Sequence, residues 1–276
     1  MRARLWGTRG SLARSGPETV RYGGDTSSVE VRPADGGLIV LDAGSGIVRL
    51  GENIGTPPPR IDILLSHLHM DHIQGLGFFT PLYSEDIVVH IWGPATAALD
   101  LRSRLSRYLS PPLFPVRLRD LVGFEIHDLA PGTMQLGQVA VTADVVCHPG
   151  HTFGFRLQEG SAALTYIPDH EPALGVRNFP GSAEWTSGTA LAANADLLIH
   201  DAQYSDDEYE ARAGWGHSTF SHAIAFAELA EVRRMVTFHH DPSHSDDFLD
   251  RAAAAFTSDS VEVVSGTVGA DFEVSG

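Results

Sequence analysis

One cysteine, Cys147, is all that the 276 residues contain. A single thiol forms no intramolecular disulfide, which excludes a disulfide-stapled scaffold. Positive charge is also sparse: 19 Lys and Arg stand against 35 Asp and Glu, for a formal net charge of -16. Such a surface repels polyanions at long range. It argues against broad, sequence-independent binding to nucleic acid or to an anionic membrane, both of which need a basic footprint. It leaves room for a small anionic substrate, because bound metal cations set the field inside a pocket. No apolar run approaches the roughly 18 residues of a membrane span. The first ten residues, Met1 to Gly10, carry positive charge with no apolar stretch behind them, so no signal peptide is read and a cytoplasmic protein is expected. Fixed-period repeats and low-complexity segments are missing as well.

What is present is a chain with 43% hydrophobic residues, enough for a substantial core. Its length suits one large α/β domain over residues 1–276. Short apolar runs predict strands at Val29–Val31, Leu38–Leu41, Ile61–Leu65, Ile87–Trp92, Val139–Val146, Ala162–Ile167, Leu197–Ile199 and Val236–Phe238. Helical patterns lie over Pro94–Leu109, Thr219–Ala230 and Asp246–Phe256. Loops are expected at 55–59, at 110–112 and over most of 171–187. Strands alternating with helices indicate a layered α/β architecture. Reactive groups in such folds gather on loops at strand ends.

Fourteen histidines are spread along the chain, and they follow apolar runs repeatedly. The densest group is Ser66-His67-Leu68-His69-Met70-Asp71-His72, directly after a predicted strand. Imidazole and carboxylate are the usual ligands of divalent first-row metals. A loop leaving a strand can turn His67 and His69 toward one point and Asp71 and His72 toward a neighbouring one, supplying two ions. The plain alternative is a solvated polar loop. Unpaired buried imidazoles and carboxylates are costly, which weighs against burying this set without partners.

The pattern His-x-His-x-Asp-His after a strand resembles the signature of the metallo-β-lactamase superfamily, and the likeness extends over most of the chain. It implies a four-layer αββα sandwich and a two-metal hydrolase. Asp42, in Leu41-Asp42-Ala43-Gly44, is similar to an early Asp that braces the metal loop. His148 is similar to the next ligand, and its spacing to Gly154-Phe155 resembles the ribonuclease Z branch. Asp169, in Tyr166-Ile167-Pro168-Asp169, is similar to a bridging carboxylate, and His239 to the last ligand. The resemblance thus implies one site of His67, His69 and His148, a second of Asp71, His72 and His239, and Asp169 between them. Zinc is the expected ion, and manganese and iron suit the same donors. His240 competes with His239, since strand alternation points neighbours to opposite sides; the resemblance favours His239, because the family's last ligand directly follows the apolar strand residues. His151 competes with His148 as the ligand; the spacing to Gly154 favours His148, which leaves His151 to line the pocket.

Two further segments resemble the same branch. His200-Asp201-Ala202-Gln203 is similar to its His-Glu-Ala-Thr segment, with Asp for Glu. Gly216-His217-Ser218-Thr219 is similar to its His-Ser-Thr segment, which implies that His217 contacts the scissile phosphate and protonates the leaving oxygen. A near-neutral pKa suits that task. The alternative makes His217 a helix-entry residue with Ser218 as the cap. Asp201 is read either as a carboxylate orienting His217 or a metal ligand, or as an ordinary strand-end residue. His200 is expected to support structure, and His170 could do either. His90, His127, His222 and His244 are read as surface or core histidines, and Cys147 as a buried strand residue. Arg9, in Gly7-Thr8-Arg9-Gly10-Ser11, is a candidate anion contact, although that loop and Gly23–Ser27 could equally be hairpin turns.

One fold hosts many chemistries, so resemblance alone does not set the substrate. Members with a tRNA-binding arm carry it between the third ligand and the bridging Asp. Only 21 positions separate His148 from Asp169 here. The expected function is a phosphodiesterase acting on a small anionic substrate such as a cyclic nucleotide, with Asp71 and His217 in catalytic roles and hydroxide attacking in line. Hydrolysis of a lactone, thioester or β-lactam is the alternative, and a non-catalytic metal-sensing module the third. The resemblance also implies a homodimer.

Overall fold

The computed structural model describes residues 1–56, 58, 60–172, 179 and 181–276, so parts of the loops expected at 55–59 and 171–187 lie outside the described residues. The strands are β1 (Arg2–Gly7), β2 (Ser28–Arg32), β3 (Leu38–Leu41), β4 (Arg60–Leu64), β5 (Val88–Pro94), β6 (Phe124–Leu129), β7 (Gly132–Leu136), β8 (Val139–Val145), β9 (Phe153–Glu159), β10 (Ala162–Ile167), β11 (Leu197–Asp201), β12 (Arg234–Phe238), β13 (Glu262–Ser265) and β14 (Asp271–Glu273). They form two seven-stranded sheets, in the orders β14-β1-β2-β3-β4-β5-β6 and β13-β12-β11-β10-β9-β8-β7. The helices are α1 (Gly46–Asn53), α2 (Met70–Ile73), α3 (Leu101–Tyr108), α4 (Thr189–Ala192), α5 (Asp206–Tyr209), α6 (Phe220–Leu229) and α7 (Asp246–Ala255).

The unbroken apolar runs follow from the layering, since a strand covered on both faces has no solvent side to make polar. In β3, Ile39 and Leu41 enter the core between the sheets with Leu5, Phe153, Tyr166 and Phe238. Leu38 and Val40 face outward onto Ile47 and Leu50 of α1 and join a cluster with Leu101 and Leu105 of α3. On the other sheet, Ile167, Leu198 and Met235 pack with Phe226 of α6 and Leu249 of α7. Each fully buried Leu, Ile or Phe contributes about 1.5–3 kcal/mol. The result is the expected four-layer αββα sandwich. Among the described residues, no helix is long and apolar enough to cross a membrane.

Strands β3 to β6 run parallel, as do β10 to β13. Their carboxyl ends therefore lie toward one edge of each sheet, where open α/β folds place their ligands. Asp42 follows β3, the histidine loop follows β4, Asp169 follows β10, Asp201 ends β11 and His239 follows β12.

Several local expectations are corrected. The helix expected from Pro94 begins at Leu101, because Pro94 ends β5 and the Asp100 carboxylate caps the first turn by accepting from the Ser103 N–H at 2.7 Å. The cap of α6 is Thr219, whose hydroxyl accepts from the His222 N–H at 3.0 Å; Ser218 Oγ instead donates to the His170 carbonyl at 2.7 Å. Cys147 is half-buried in a bend beyond β8, not in a strand. Arg9 cannot meet a substrate anion: it is fully buried and donates to the carbonyls of Gly23, Asp241 and His244, at 2.9, 3.2 and 2.7 Å.

Candidate metal centre

The chain leaves β4 and turns into α2 within a few residues, with His69 extended at the N-cap and Asp71 and His72 already helical. That change of backbone separates the donors into two groups. The ligand atoms of His67, His69, His148 and Asp169 all lie within 4.8 Å of one another, and those of Asp71, His72 and His239 do the same. Asp169 faces both groups. Its Oδ2 lies 3.7 Å from His67 Nε2 and 3.6 Å from His148 Nε2, while its Oδ1 lies 3.0 Å from His72 Nε2 and 3.3 Å from His239 Nε2. Asp71 Oδ2 sits 3.0 Å from His239 Nε2, and His69 turns its Nδ1 toward His148 Nε2 at 3.3 Å.

The outer nitrogens determine which way these rings present their lone pairs. His72 Nδ1 donates to Asp42 at 2.7 Å, His148 Nδ1 to the Gly216 carbonyl at 2.8 Å, His239 Nδ1 to Gln203 Oε1 at 2.8 Å, and His67 Nδ1 to Ser66 Oγ at 3.1 Å. A neutral imidazole that donates from Nδ1 has an acceptor at Nε2. Four Nε2 acceptors are thus aimed inward at the Asp169 carboxylate. Acceptors facing acceptors do not satisfy one another, and buried polar atoms left unpaired cost about 1–3 kcal/mol each. His67 Nε2 and Asp169 Oδ1 are both buried without a hydrogen-bond partner. Divalent cations would satisfy the whole set at once, so the residues present fit a two-metal centre.

The electrostatics agree. Burial would raise the Asp169 carboxyl, but His239, His72 and His67 hold it well below the usual carboxylate range. Burial, then the nearby His72, pushes His67 well down, and burial also lowers His148, so both favour the neutral form that binds metal. His72 is the exception. Burial would lower it, yet Asp169, Asp71 and Asp42 together raise it well above the ordinary histidine value. Three carboxylates around one ring are a local concentration of negative charge that calls for a cation.

Supporting residues surround this set. Asp42 adopts φ 59° and accepts from the Ser66 N–H, Ser66 Oγ, His72 Nδ1 and Tyr166 OH at 2.7, 2.8, 2.7 and 2.8 Å. His239 also has φ 59°, which breaks strand alternation and turns its ring to the centre. His240 points elsewhere and donates from Nε2 to the Gly266 carbonyl at 2.9 Å. Two glycines are required by close approach: a Cβ on Gly10 would meet His239 Nδ1 at 2.3 Å, and one on Gly216, at φ +93°, would meet His148 Nδ1 at 2.4 Å. Beside Gly10, the Ser11 N–H donates to Asp71 Oδ2 at 2.6 Å. Tyr166, Gln203, Ser66 and Ser11 were missed as supporting residues. Two of them, Tyr166 and Gln203, lie inside segments whose resemblance implies roles only for other residues, Asp169 in one and His200-Asp201 in the other.

His217 lies at the same centre. Its ring stacks on His239 with centroids 5.0 Å apart, and its Nδ1 is 2.7 Å from Asp201 Oδ2 and 4.0 Å from Asp169 Oδ2. Asp201 is fully buried and also accepts the N–H groups of His170 and Gln203, each at 3.0 Å. Asp201 therefore orients His217. Burial lowers the His217 pKa from its ordinary value. His151 does not join the set; its Nδ1 donates to the Ala95 carbonyl at 2.9 Å. His170 and His200 pair with each other at 3.0 Å and face away from it. A cavity of about 590 Å³ opens beside the metal loop, lined by Leu68, Met70, Ile73, Arg104, Arg107, Tyr108 and Leu113.

Residues 38–240 match the family described as the Beta-lactamase superfamily domain. A ribonuclease Z of Natronomonas pharaonis is 25% identical, over 90% of this chain and 89% of its own length. Human tRNase Z, short form, superposes with a TM-score of 0.69 at 22% identity, covering 100% of both chains. A diphosphatase from the PhnP family superposes with a TM-score of 0.71 at 17% identity, covering 99% of this chain and 97% of that one.

Proposed function

The chain belongs to the beta-lactamase superfamily, and from that premise we propose that it is a two-metal phosphodiesterase that hydrolyses a small anionic phosphodiester such as a cyclic nucleotide. When bound at the two donor groups that share Asp169, a pair of divalent cations, zinc foremost, would polarise a phosphoryl oxygen and make water nucleophilic near neutral pH. The observation that carries the reading is the His217–Asp201 pair beside Asp169. With Nδ1 committed to Asp201, His217 presents Nε2 to the departing oxygen and can deliver a proton there. Delivering that proton requires the imidazolium form, which burial disfavours and the neighbouring Asp169 and Asp71 carboxylates favour. Asp71, held by the Ser11 N–H, keeps the second donor group in place.

Arg104 and Arg107, in the cavity beside the metal loop, suit an anionic substrate, and Tyr108 and Leu113 suit a ring or other apolar part. Two arginines match a few phosphate charges and do not make a track for a long polyanion. The net charge of -16 and the short His148–Asp169 interval point the same way. The name of the ribonuclease Z relative supports phosphodiester chemistry in this branch.

The test is a substrate panel on metal-loaded protein: a chromogenic phosphodiester, cyclic nucleotides, a precursor tRNA, a lactone and a thioester. Turnover of the small phosphodiesters is expected. Turnover confined to the lactone and thioester overturns the reaction class, and turnover confined to the tRNA overturns the substrate size.

A further inference from the structure

A second group of ligand-type side chains lies on the edge of the first sheet, on strands that carry none of the candidate ligands of the main centre. His90 on β5 is in register with Glu125 on β6, and Trp92 with His127. These four alternate residues share one face. His90 Nδ1 lies 2.9 Å from His127 Nε2 and 3.5 Å from Glu125 Oε2, and His127 Nε2 lies 3.7 Å from the same oxygen.

We propose that His90, Glu125 and His127 form a separate, solvent-facing site for one divalent transition-metal ion of the zinc class. The triangle of donor atoms carries the inference. A tetrahedral zinc with bonds of about 2.0–2.1 Å places its ligand atoms about 3.3–3.4 Å apart, and the three observed separations bracket that value. The rings are also held in place. Trp92 stacks on His127 with centroids 4.0 Å apart at 18°, and its Nε1 donates to Asp62 at 2.9 Å. Asp62 is held in turn by Arg60 at 2.8 Å. Burial and then the Arg60 charge lower the His90 pKa, which favours the neutral, metal-binding imidazole. Two imidazoles and one carboxylate leave a fourth position toward solvent, and the donor set suits zinc, nickel or copper in preference to calcium or magnesium. Bound there, the ion would clip the edge strand β6 to β5.

The alternative is a plain hydrogen bond between two stacked imidazoles. Zinc taken up by wild-type protein is compared with that of His127→Gln and His90→Gln, by elemental analysis after equilibrium dialysis against free Zn²⁺. The readout is the difference between wild type and variant, so it does not depend on how many ions the main centre holds. The site predicts one zinc fewer per chain in each variant, with phosphodiester turnover unchanged. It also predicts a zinc-dependent rise in the melting temperature that is larger in the wild type than in either variant. Equal zinc in all three folded proteins, checked by circular dichroism, would leave only the hydrogen-bonded pair and overturn the proposal.

Discussion

Two sets of buried histidines at the same end of the molecule solve the same problem in opposite ways. In the pair His170–His200, every ring nitrogen is spoken for. His200 Nδ1 donates to the Asp201 carbonyl at 2.7 Å, its Nε2 accepts from His170 Nδ1 at 3.0 Å, and His170 Nε2 accepts from Ser187 Oγ at 2.7 Å. In the set His67, His72, His148 and His239, the outer nitrogen of each ring is satisfied and the inner one points at Asp169. Burial is nearly the same in both sets. What separates structure from function here is therefore the direction of the spare lone pair. A closed chain of donors and acceptors supports a fold, whereas a ring of acceptors around a carboxylate needs a cation.

The comparison can be broken most severely at the shared carboxylate. Asp169→Ala should release both tightly held ions and reduce phosphodiester turnover by at least about 10⁴-fold, because members of one catalytic unit fail together; elemental analysis and initial rates check this. His217→Ala should cost about 10²–10³-fold in kcat with bound metal unchanged, the scale of a general acid. Unchanged turnover would return His217 to a helix-entry role. Asp42→Asn weakens the anchor of His72, and metal affinity measured by competition with a chelator should fall about 10–100-fold.

The smallest effect belongs to the closed pair, and it is one of stability. His200→Asn should destabilise the fold by about 1–3 kcal/mol in urea melts and leave metal content alone. Its pH signature follows from the buried ring. Burial holds His200 down to about 4 against an ordinary value of 6.5. The unfolded chain therefore binds the proton first as the pH falls. Stability is full above pH 6.5 and is lost progressively toward about 4, and the variant should show a shallower slope across that window.

Much of this contrast was legible in the sequence, and the reasons are local. His67, His69, Asp71, His72, Asp169 and His239 sit where continuous apolar runs stop, and such runs mark strands buried on both faces. Choosing His239 over His240 needed the family resemblance, because alternation fails at a residue with φ 59°. Strands β6 and β7 went unread because polar side chains interrupt them, as in Phe124-Glu125-Ile126-His127-Asp128-Leu129. In β9, Phe153, Phe155 and Leu157 alternate into the core, but Gly154, Arg156 and Gln158 between them leave no continuous apolar run. Arg9 was misread for a different reason. Two of the three carbonyls that satisfy it belong to Asp241 and His244, 232 and 235 positions away, and no local pattern announces so distant a partner.

X-ray absorption of protein loaded with its two most tightly held metal ions tests the shared centre most directly. Two ions joined through Asp169 predict a metal–metal scattering shell at about 3.5–4 Å, surrounded by nitrogen and oxygen ligands. Fully loaded protein whose spectrum shows isolated ions, with no metal neighbour in that shell, would contradict the account.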